Sequence, residues 1–181
     1  MASEAVRPCV AVVMGVSGSG KTTVANILAA DLGWPMLEGD DLHPAANIAK
    51  MASGHPLTDA DRWPWLESIG QWISGRVETG GSAVVTCSAL KRSYRDVLRQ
   101  AMIGHPEALL LFVYLRGTPE ELHRRLVARR DHYMHASMLE SQLATLEDPT
   151  GEPDVRTIDV GHSPKEVAAA ALAAIEAANA E

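Results

Sequence analysis

Short apolar runs alternate with longer amphipathic stretches along this chain. Five of the runs have the length of strands, although the second is weaker than the others. They are Val10 to Met14, Pro35 to Glu38, Ala83 to Ser88, Leu109 to Leu115 and Val155 to Val160. Runs that stay apolar at consecutive positions are typical of strands buried on both faces, as in parallel sheets.

The stretches between these runs repeat apolar residues at helical spacing, which predicts α-helices. The predicted helices are Lys21 to Leu32, Ala45 to Ala52, Ala60 to Val77, Ser93 to Ile103, Pro119 to Ala128 and Met138 to Leu146, followed by an Ala-rich helix that starts near Ser163 and Pro164. Thr58 and Asp61 resemble a capping pair for the third helix. Strands that alternate with helices predict an α/β fold, with helices on both faces of a parallel sheet.

Composition narrows the class of protein. A chain of 181 residues is one domain's worth and can fold on apolar burial alone, without a disulfide or a structural metal. Acidic residues outnumber basic ones by 23 to 16, so no nucleic-acid partner is expected. No window approaches the roughly 18 apolar residues of a membrane span, and the first residues do not resemble a leader peptide. We expect a cytoplasmic protein with no membrane partner.

Two cysteines, Cys9 and Cys87, lie inside apolar runs. Free cysteine behaves as a small hydrophobic residue, so we interpret both as buried thiols in a reducing compartment. Catalytic thiols are the alternative interpretation.

The junction after the first predicted strand carries the most specific motif. The segment "MGVSGSGKTT" places Gly15, Gly20, Lys21 and Thr22 at the spacing G-x-x-x-x-G-K-S/T between a strand and a helix. In such a P-loop, backbone N–H groups surround phosphate oxygens, the lysine reaches the β- and γ-phosphates and the threonine hydroxyl ligates Mg²⁺. An ordinary glycine-rich turn is the alternative. The motif predicts nucleotide binding.

Ligands of open parallel sheets bind beyond the carboxyl ends of the strands, so the next such end is also a candidate site. The segment "LEGDDLHP" places Glu38, Asp40, Asp41 and His43 there. One of these acids is a candidate to hold a Mg²⁺-bound water or to accept the proton of an attacking hydroxyl. Alternatively, an aspartate caps the helix that begins near Pro44, and His43 is a polar residue of a turn.

The third junction, "TCSALKRSYRD", places Lys91, Arg92 and Arg95 at a helix start. Cations at a helix N-terminus oppose the helix dipole, which indicates that at least one of them has an anionic partner. Exposure to solvent is the alternative, for Arg92 in particular. Upstream, the segment "TDADRWPWL" offers Arg62 as an anion anchor that faces the cleft, whereas Trp63 and Trp65 are interpreted as core residues.

A further basic cluster lies between two predicted helices, in "HRRLVARRDHYMHASM". Its members are Arg124, Arg125, Arg129, Arg130, His132 and His135. Such a cluster in an acidic protein predicts a lid that closes arginines onto a transferred phosphate and excludes water. Arg124 and Arg125 fall within a helix and are interpreted as solvent or salt-bridge residues. No further ligand accompanies His132 and His135, which argues against a zinc site.

Several of these strings together resemble the gluconokinases of the P-loop carbohydrate kinase type. They are "MGVSGSGKTTVA", "GDDLHPAANIAKMASGHPLTDADRWPWL", "VVTCSALKRSYRDVLR" and "HYMHASMLESQLATLEDP", and they span nearly the whole chain. The resemblance implies a fold similar to shikimate kinases and nucleoside-monophosphate kinases, with a five-stranded parallel core sheet. It also implies one domain that contains a substrate-binding helical region at about 41–80 and a lid at about 129–138. The implied activity is ATP-dependent phosphorylation of D-gluconate at its 6-hydroxyl, and the implied assembly is a homodimer.

The resemblance also implies roles for individual residues. The residues implied to bind ATP are Gly15, Val16, Ser17, Gly18, Ser19, Gly20, Lys21, Thr22 and Thr23, with Thr22 on Mg²⁺. The residues implied to bind or face the sugar acid are Asp40, His43, Arg62, Lys91, Arg95 and His132, and Arg129 matches the lid arginine. The family often has a bulky residue in place of Asp41, which leaves Asp40 as the better catalytic candidate and Asp41 as a helix cap.

The mechanism that follows is in-line transfer of the γ-phosphoryl group. Lys21 and Mg²⁺ withdraw charge from that group, Asp40 accepts the hydroxyl proton directly or through a Mg²⁺-bound water, and Arg129 stabilises the transition state. Two alternatives stay open. The chain could phosphorylate another small acid such as shikimate, or a nucleotide, or it could bind nucleotide only as a switch.

Overall fold

The predicted sheet is present and forms the centre of the molecule. The computed structural model describes residues 6–128 and 136–181. Within these ranges five strands form one sheet: β1 (Cys9–Met14), β2 (Met36–Glu38), β3 (Ala83–Thr86), β4 (Leu109–Arg116) and β5 (Val155–Asp159). Their spatial order is β2-β3-β1-β4-β5, and every neighbouring pair is parallel. The α/β prediction and the number of core strands are confirmed.

The helices lie where the apolar spacing predicts them. They are α1 (Lys21–Leu32), α2 (Ala45–Ala52), α3 (Asp59–Glu78), α4 (Arg92–Gln100), α5 (Pro119–Ala128), α6 (Ala136–Thr145) and α7 (Pro164–Asn179), and a 3₁₀ turn covers Gly39–Leu42. The largest shift is at α4, which ends at Gln100 and not at Ile103. The chain turns there, with Gly104 at a φ of 89° and the Ile103 side chain exposed to solvent. None of the helices in the described ranges is long and apolar enough to cross a membrane.

Side chains of β1 alternate between two apolar layers. Val10, Val12 and Met14 pack with the buried faces of α3 and α4, whereas Cys9, Ala11 and Val13 pack with those of α1 and α7. Alternation of this kind follows from the two-residue period of a strand, and it produces a helix–sheet–helix sandwich. Each large apolar side chain buried in these layers contributes about 1.5 to 3 kcal/mol.

Both cysteines are buried, as predicted. Neither Cys9 nor Cys87 forms a disulfide. Burial raises the pKa of the Cys9 thiol to about 11 and that of the Cys87 thiol to about 12. A thiol in this environment stays protonated and is a poor nucleophile, which argues against the catalytic alternative.

Two of the predicted caps are confirmed and one is wrong. The Thr58 side chain accepts from the Asp61 N–H, and the Asp61 carboxylate accepts from the Thr58 N–H, which completes a capping box at α3. Ser163 accepts from the Glu166 N–H at the start of α7. Asp41, by contrast, does not cap α2. It lies within the 3₁₀ turn, three residues before Pro44, which occupies the N-cap position without a side-chain hydrogen bond.

Candidate active site

The loop between β1 and α1 has a backbone that only glycine adopts readily. Gly15, Gly18 and Gly20 have φ values of 146°, 83° and 91°. A Cβ atom at Gly15 would lie 2.9 Å from the Leu115 carbonyl oxygen, and one at Gly18 would lie 2.9 Å from the Leu122 carbonyl oxygen. All three glycines therefore fit the backbone of the turn, and Gly15 and Gly18 also allow its close packing against β4 and α5.

The start of α1 is electrostatically suited to an anion. Gly20 is its N-cap and provides no side-chain cap for the first N–H groups of the helix, so these groups and the helix dipole attract negative charge. The Lys21 ammonium donates to the carbonyl oxygens of Gly15 at 3.0 Å and Val16 at 3.1 Å, which holds it over the loop. The Ser17 N–H donates to Gln142 Oε1 of α6 at 2.8 Å, a contact that the sequence did not suggest.

A carboxylate lies directly beside the predicted metal ligand. Thr22 Oγ1 donates to Glu38 Oε2 at 2.7 Å, and Thr86 Oγ1 donates to Glu38 Oε1 at 2.6 Å. Glu38 ends β2 and pairs in register with Thr86 of β3. Sequence analysis included Glu38 among several acids but did not select it. Its position as the last residue of a strand beside the P-loop was the available signal.

Gly39 keeps the end of β2 close to β3. Its N–H donates to Thr86 Oγ1 at 3.0 Å. A Cβ atom at this position would lie 2.0 Å from the Thr86 carbonyl oxygen, so any side chain would displace the strand end. The placement of Glu38 beside Thr22 therefore depends on this glycine.

These oxygen atoms fit a magnesium ion. Mg²⁺ prefers hard oxygen ligands and usually takes one or two from protein, with phosphate oxygens and waters completing its shell. Residues 6–128 and 136–181 contain no group of three or more His, Cys, Asp and Glu side chains arranged to hold a metal by themselves. The Thr22 hydroxyl and the Glu38 carboxylate match the partial set that Mg²⁺ uses with a nucleotide.

A cavity opens next to the P-loop and brings together five of the predicted site residues. Its polar lining includes Ser17, Lys21, Asp40, His43 and Arg62, together with Ser88 and Gln142. Its apolar lining consists of Met51, Leu57, Trp65, Leu90 and Met138. The cavity thus joins the nucleotide-binding loop to an acid, an imidazole and a guanidinium.

Asp40 and His43 share the 3₁₀ turn and its exit. The Asp40 side chain is 55% exposed, and its Oδ1 lies 3.8 Å from His43 Nε2. His43 itself is buried, with its ring stacked on Trp65 at a centroid distance of 4.0 Å. Burial, and to a lesser extent the nearby Arg62 charge, lowers the pKa of His43 to about 4. The imidazole is therefore neutral near pH 7.

Trp65 is both a core residue and part of the cavity wall. It is almost fully buried in the layer formed by α3 and α4, as its interpretation as core requires. Its indole Nε1–H donates to the Gly39 carbonyl oxygen at 2.8 Å, which satisfies its polar atom and ties α3 to the 3₁₀ turn.

Arg62 is a buried cation that lacks a carboxylate partner in the described part of the chain. Its side chain is 9% exposed, and its Nη1 donates to the Tyr94 hydroxyl at 2.9 Å. None of the ion pairs formed within residues 6–128 and 136–181 includes it. Burying a guanidinium is costly unless an anion compensates it, so its place in the cavity wall favours an anionic ligand.

Lys91 already has an anionic partner, as the helix-dipole argument predicted. Its Nζ lies 3.1 Å from Asp59 Oδ1, and the Tyr94 hydroxyl donates to the same carboxylate. Hydrogen bonds from Tyr94 and Lys91 lower the pKa of Asp59. Lys91 does not line the cavity. It is nevertheless linked to Arg62 through Tyr94, because its Nζ lies 5.7 Å from the centroid of the Tyr94 ring and Arg62 donates to the Tyr94 hydroxyl.

Arg95 uses its donors within the protein. Its side chain is 1% exposed, and its donors contact both Glu152 oxygens and three backbone carbonyls. These bonds run from Nε to Glu152 at 3.2 Å, from Nη1 to Ala89 at 2.8 Å and Leu90 at 3.3 Å, and from Nη2 to Glu147 at 3.2 Å and Glu152 at 2.7 Å. A guanidinium has five N–H donors, so the set is complete. These bonds favour a structural role for Arg95, and its contact with a substrate stays a prediction.

The structure describes only part of the basic cluster between α5 and α6. Arg129, Arg130, His132 and His135 lie outside the described residues, as does most of the predicted lid. Arg125, which was interpreted as a solvent or salt-bridge residue, instead donates from Nη2 to the backbone carbonyl of Val160. It thereby links the end of α5 to the segment that follows β5.

Comparisons with known proteins agree with this geometry. Residues 10–149 match the family described as an AAA domain. A probable gluconokinase of Schizosaccharomyces pombe is 53% identical over 152 residues, which cover 82% of this chain and 78% of that protein. A gluconokinase of Gluconobacter oxydans is 52% identical over 86% of this chain and 85% of that protein. The crystal structure of a gluconokinase from Sinorhizobium meliloti superposes with a TM-score of 0.85 at 47% identity and covers 96% of this chain and 94% of its own.

Proposed function

Since the chain belongs to the gluconokinase family, we propose that it transfers the γ-phosphoryl group of ATP to the 6-hydroxyl of D-gluconate. The products are ADP and 6-phospho-D-gluconate. The observation that carries this proposal is the cavity in which Arg62, Asp40 and Lys21 meet beside a P-loop. Neither alternative activity, phosphorylation of another acid or nucleotide binding without catalysis, gains support from the relatives.

The nucleotide binds through the loop from Gly15 to Thr23. Backbone N–H groups of the loop and of the first turn of α1 surround the β- and γ-phosphates. The Lys21 ammonium moves from the loop carbonyls to oxygens of the β- and γ-phosphates, where it balances the charge that develops during transfer.

Thr22 and Glu38 are the residues that would hold Mg²⁺. The chemistry it would supply there is neutralisation of phosphate charge. The 2.7 Å hydrogen bond between Thr22 Oγ1 and Glu38 Oε2 supports this assignment, because it holds two oxygen atoms next to each other beside the P-loop. Glu38 therefore takes the metal role that sequence analysis had offered to Asp40.

The acceptor binds with its carboxylate on Arg62. Gluconate carries its carboxylate and its 6-hydroxyl at opposite ends of a six-carbon chain, so an anchor at one end fixes where the other end lies. Asp40 lines the same cavity as Lys21 and accepts the proton of the hydroxyl as it attacks phosphorus. The His43 ring contacts the acceptor between these two ends, and Trp65 supports it from behind.

The segment at about 129–138 closes over the bound substrates as a lid. Arg129 stabilises the charge of the transition state, and His132 contacts the sugar acid. The resemblance supports both roles. Met138, the last residue of this segment and part of α6, lines the cavity. Closure would exclude water and favour transfer over hydrolysis.

The protein acts as a homodimer in the cytoplasm. The family resemblance supports the dimer, and the two buried free thiols are in keeping with a reducing compartment. Sedimentation equilibrium of the purified chain tests the assembly, and a single species of about 19 kDa would contradict it.

A substrate panel tests the activity. ADP release is measured with ATP, Mg²⁺ and D-gluconate, shikimate or nucleoside monophosphates, and the phosphorylated position is read by ³¹P NMR. We expect turnover with gluconate and phosphate on its 6-oxygen. Turnover with another acid but not with gluconate would show that this acid is the substrate. ATP binding without transfer to any acceptor would favour a nucleotide-binding switch.

A further inference from the structure

Asn47 is a buried polar residue that sequence analysis did not single out. It lies in α2, is 5% exposed, and its Nδ2 donates to the Asp61 backbone carbonyl at 2.9 Å. The same nitrogen lies 3.2 Å from Nδ1 of His43. Asn47 therefore connects the start of α3 to the imidazole in the cavity wall.

The Asp61 carbonyl fixes the orientation of the Asn47 amide. A carbonyl oxygen only accepts hydrogen bonds, so the group that faces it at 2.9 Å must be the NH₂ and not the amide oxygen. Asp61 is itself held in place. Its carboxylate accepts from the Thr58 N–H at 2.8 Å and from Lys50 Nζ at 2.7 Å, and this ion pair leaves no net charge beside the amide.

The orientation of Asn47 determines the proton position on His43. The amide nitrogen donates two hydrogens and accepts none, so its second hydrogen points to His43 Nδ1 only if that atom carries a lone pair. A neutral imidazole with a lone pair on Nδ1 carries its proton on Nε2. The Nε2 atom lies 3.8 Å from Asp40 Oδ1, and both residues line the cavity.

We propose that Asn47 is a positioning residue that holds His43 as the neutral Nε2–H tautomer. His43 then presents a hydrogen-bond donor beside Asp40 and cannot act as the proton acceptor, because its lone pair is occupied by Asn47. This interpretation of the catalytic roles rests on the proposed function. It makes Asp40 the base and His43 a donor to an oxygen of the acceptor.

The groups around His43 support the neutral ring. Arg62 from α3 opposes a second positive charge, and the Trp65 ring covers one face of the imidazole. Asp40 from the 3₁₀ turn would favour protonation, but its half-exposed carboxylate is 3.8 Å away. Burial and Arg62 outweigh it, since they lower the pKa of His43 to about 4.

Nitrogen NMR of the full chain tests the tautomer without any substrate. The seven histidines are labelled with ¹⁵N, and the His43 signals are identified by their loss in His43→Gln. At pH 7 we expect an unprotonated Nδ1 and a protonated Nε2. A protonated Nδ1 would overturn the proposal, and so would a ring that exchanges equally between both tautomers.

Variants of Asn47 test its causal role. In Asn47→Asp the new carboxylate accepts a hydrogen bond, so we expect the His43 proton to move to Nδ1. In Asn47→Ala the His43 ring should populate both tautomers. This variant provides the test if Asn47→Asp does not fold. Asn26→Asp, the same substitution at an exposed position of α1, is the matched control and should leave the ring unchanged. A His43 ring that keeps its wild-type tautomer in both Asn47 variants would overturn the proposal.

Kinetics separates this inference from the proposed function. We expect kcat/KM for gluconate to fall about 10- to 100-fold in Asn47→Asp, as for other changes behind an active-site histidine, while KM for ATP is unchanged. Unchanged kcat/KM in a variant whose tautomer has moved would contradict the donor role. If wild-type protein shows the expected tautomer but phosphorylates no gluconate, the proposed function fails and the assignment of Asn47 stands.

Discussion

At the scale of single residues, burial and hydrogen bonding separate side chains that look alike in the sequence. Asp40 and Asp41 are neighbours, but only Asp40 lines the cavity. Arg62 and Arg95 are both buried, but Arg95 uses its donors on Glu152 and backbone carbonyls, whereas Arg62 donates to one neutral hydroxyl. The chemistry of the site therefore depends on which member of each pair faces the cavity.

Replacing the proposed base should affect turnover and not nucleotide binding. In Asp40→Asn we expect kcat to fall about 10²- to 10⁴-fold, because the amide cannot accept the hydroxyl proton. Initial rates give kcat, and equilibrium binding gives the affinity for ATP, which should stay near that of the wild type. Asp41→Asn is the matched control and should behave as the wild type. Near-wild-type kcat in Asp40→Asn would rule out the base assignment.

Replacing the proposed carboxylate anchor should affect acceptor binding. In Arg62→Met we expect a loss of about 2 to 4 kcal/mol of binding energy, a roughly 30- to 1,000-fold higher KM for gluconate, with a much smaller change for ATP. Arg92→Met removes an exposed cation outside the cavity and serves as the control. Similar KM values for gluconate in the two variants would show that another cation binds the carboxylate.

At the scale of elements, sequence pattern predicts the strands and helices well because each depends on local spacing. The P-loop and the capping boxes are likewise local, and the structure reproduces them. The role of Arg95 is not local. Its partner Glu152 lies 57 residues further along the chain, in the segment that precedes β5. No spacing rule could have indicated that contact, and the same holds for Glu38 with Thr86, 48 residues apart.

The buried link between α4 and the segment before β5 gives a stability prediction. Removing one member of a buried ion pair typically costs about 3 to 5 kcal/mol. Arg95→Met removes the donor to three backbone carbonyls and to both Glu152 oxygens. For a domain of this size we expect Tm to fall by roughly 6 to 20 °C in a calorimetric scan. Below that temperature KM for gluconate should be near normal. A normal Tm with a raised KM for gluconate would support the predicted contact of Arg95 with the substrate and contradict its structural role.

At the scale of the whole molecule, the site is assembled from the carboxyl ends of β1, β2 and β3, which are adjacent in the sheet. The sequence predicts that these three strand ends lie together, because the carboxyl ends of parallel strands share one edge of the sheet. It does not predict the depth at which each side chain comes to lie. His43 illustrates the difference, since a histidine placed on a turn by the sequence is stacked against the core residue Trp65.

The burial of neutral His43 makes global stability depend on pH. Its pKa is lowered from 6.5 to about 4 in the folded protein, so the unfolded chain binds the proton first as the pH falls. The contribution of His43 is therefore fully present above about pH 6.5 and is lost as the pH falls toward 4. Urea unfolding at several pH values measures this slope. His43→Gln should flatten it and His55→Gln, at an exposed position, should not; equal slopes in both would contradict the assignment.

The stacking of Trp65 on His43 also gives the protein an intrinsic optical probe. The indole lies against the imidazole with an angle of 17° between the ring planes, inside the cavity where the acceptor is proposed to bind. Its emission should respond both to occupancy of the cavity and to protonation of the ring, since either changes the electric field at the indole. The other three tryptophans, Trp34, Trp63 and Trp72, supply a constant background that Trp65→Phe would isolate. Fluorescence of the unlabelled protein could thus follow acceptor binding before any phosphoryl transfer takes place.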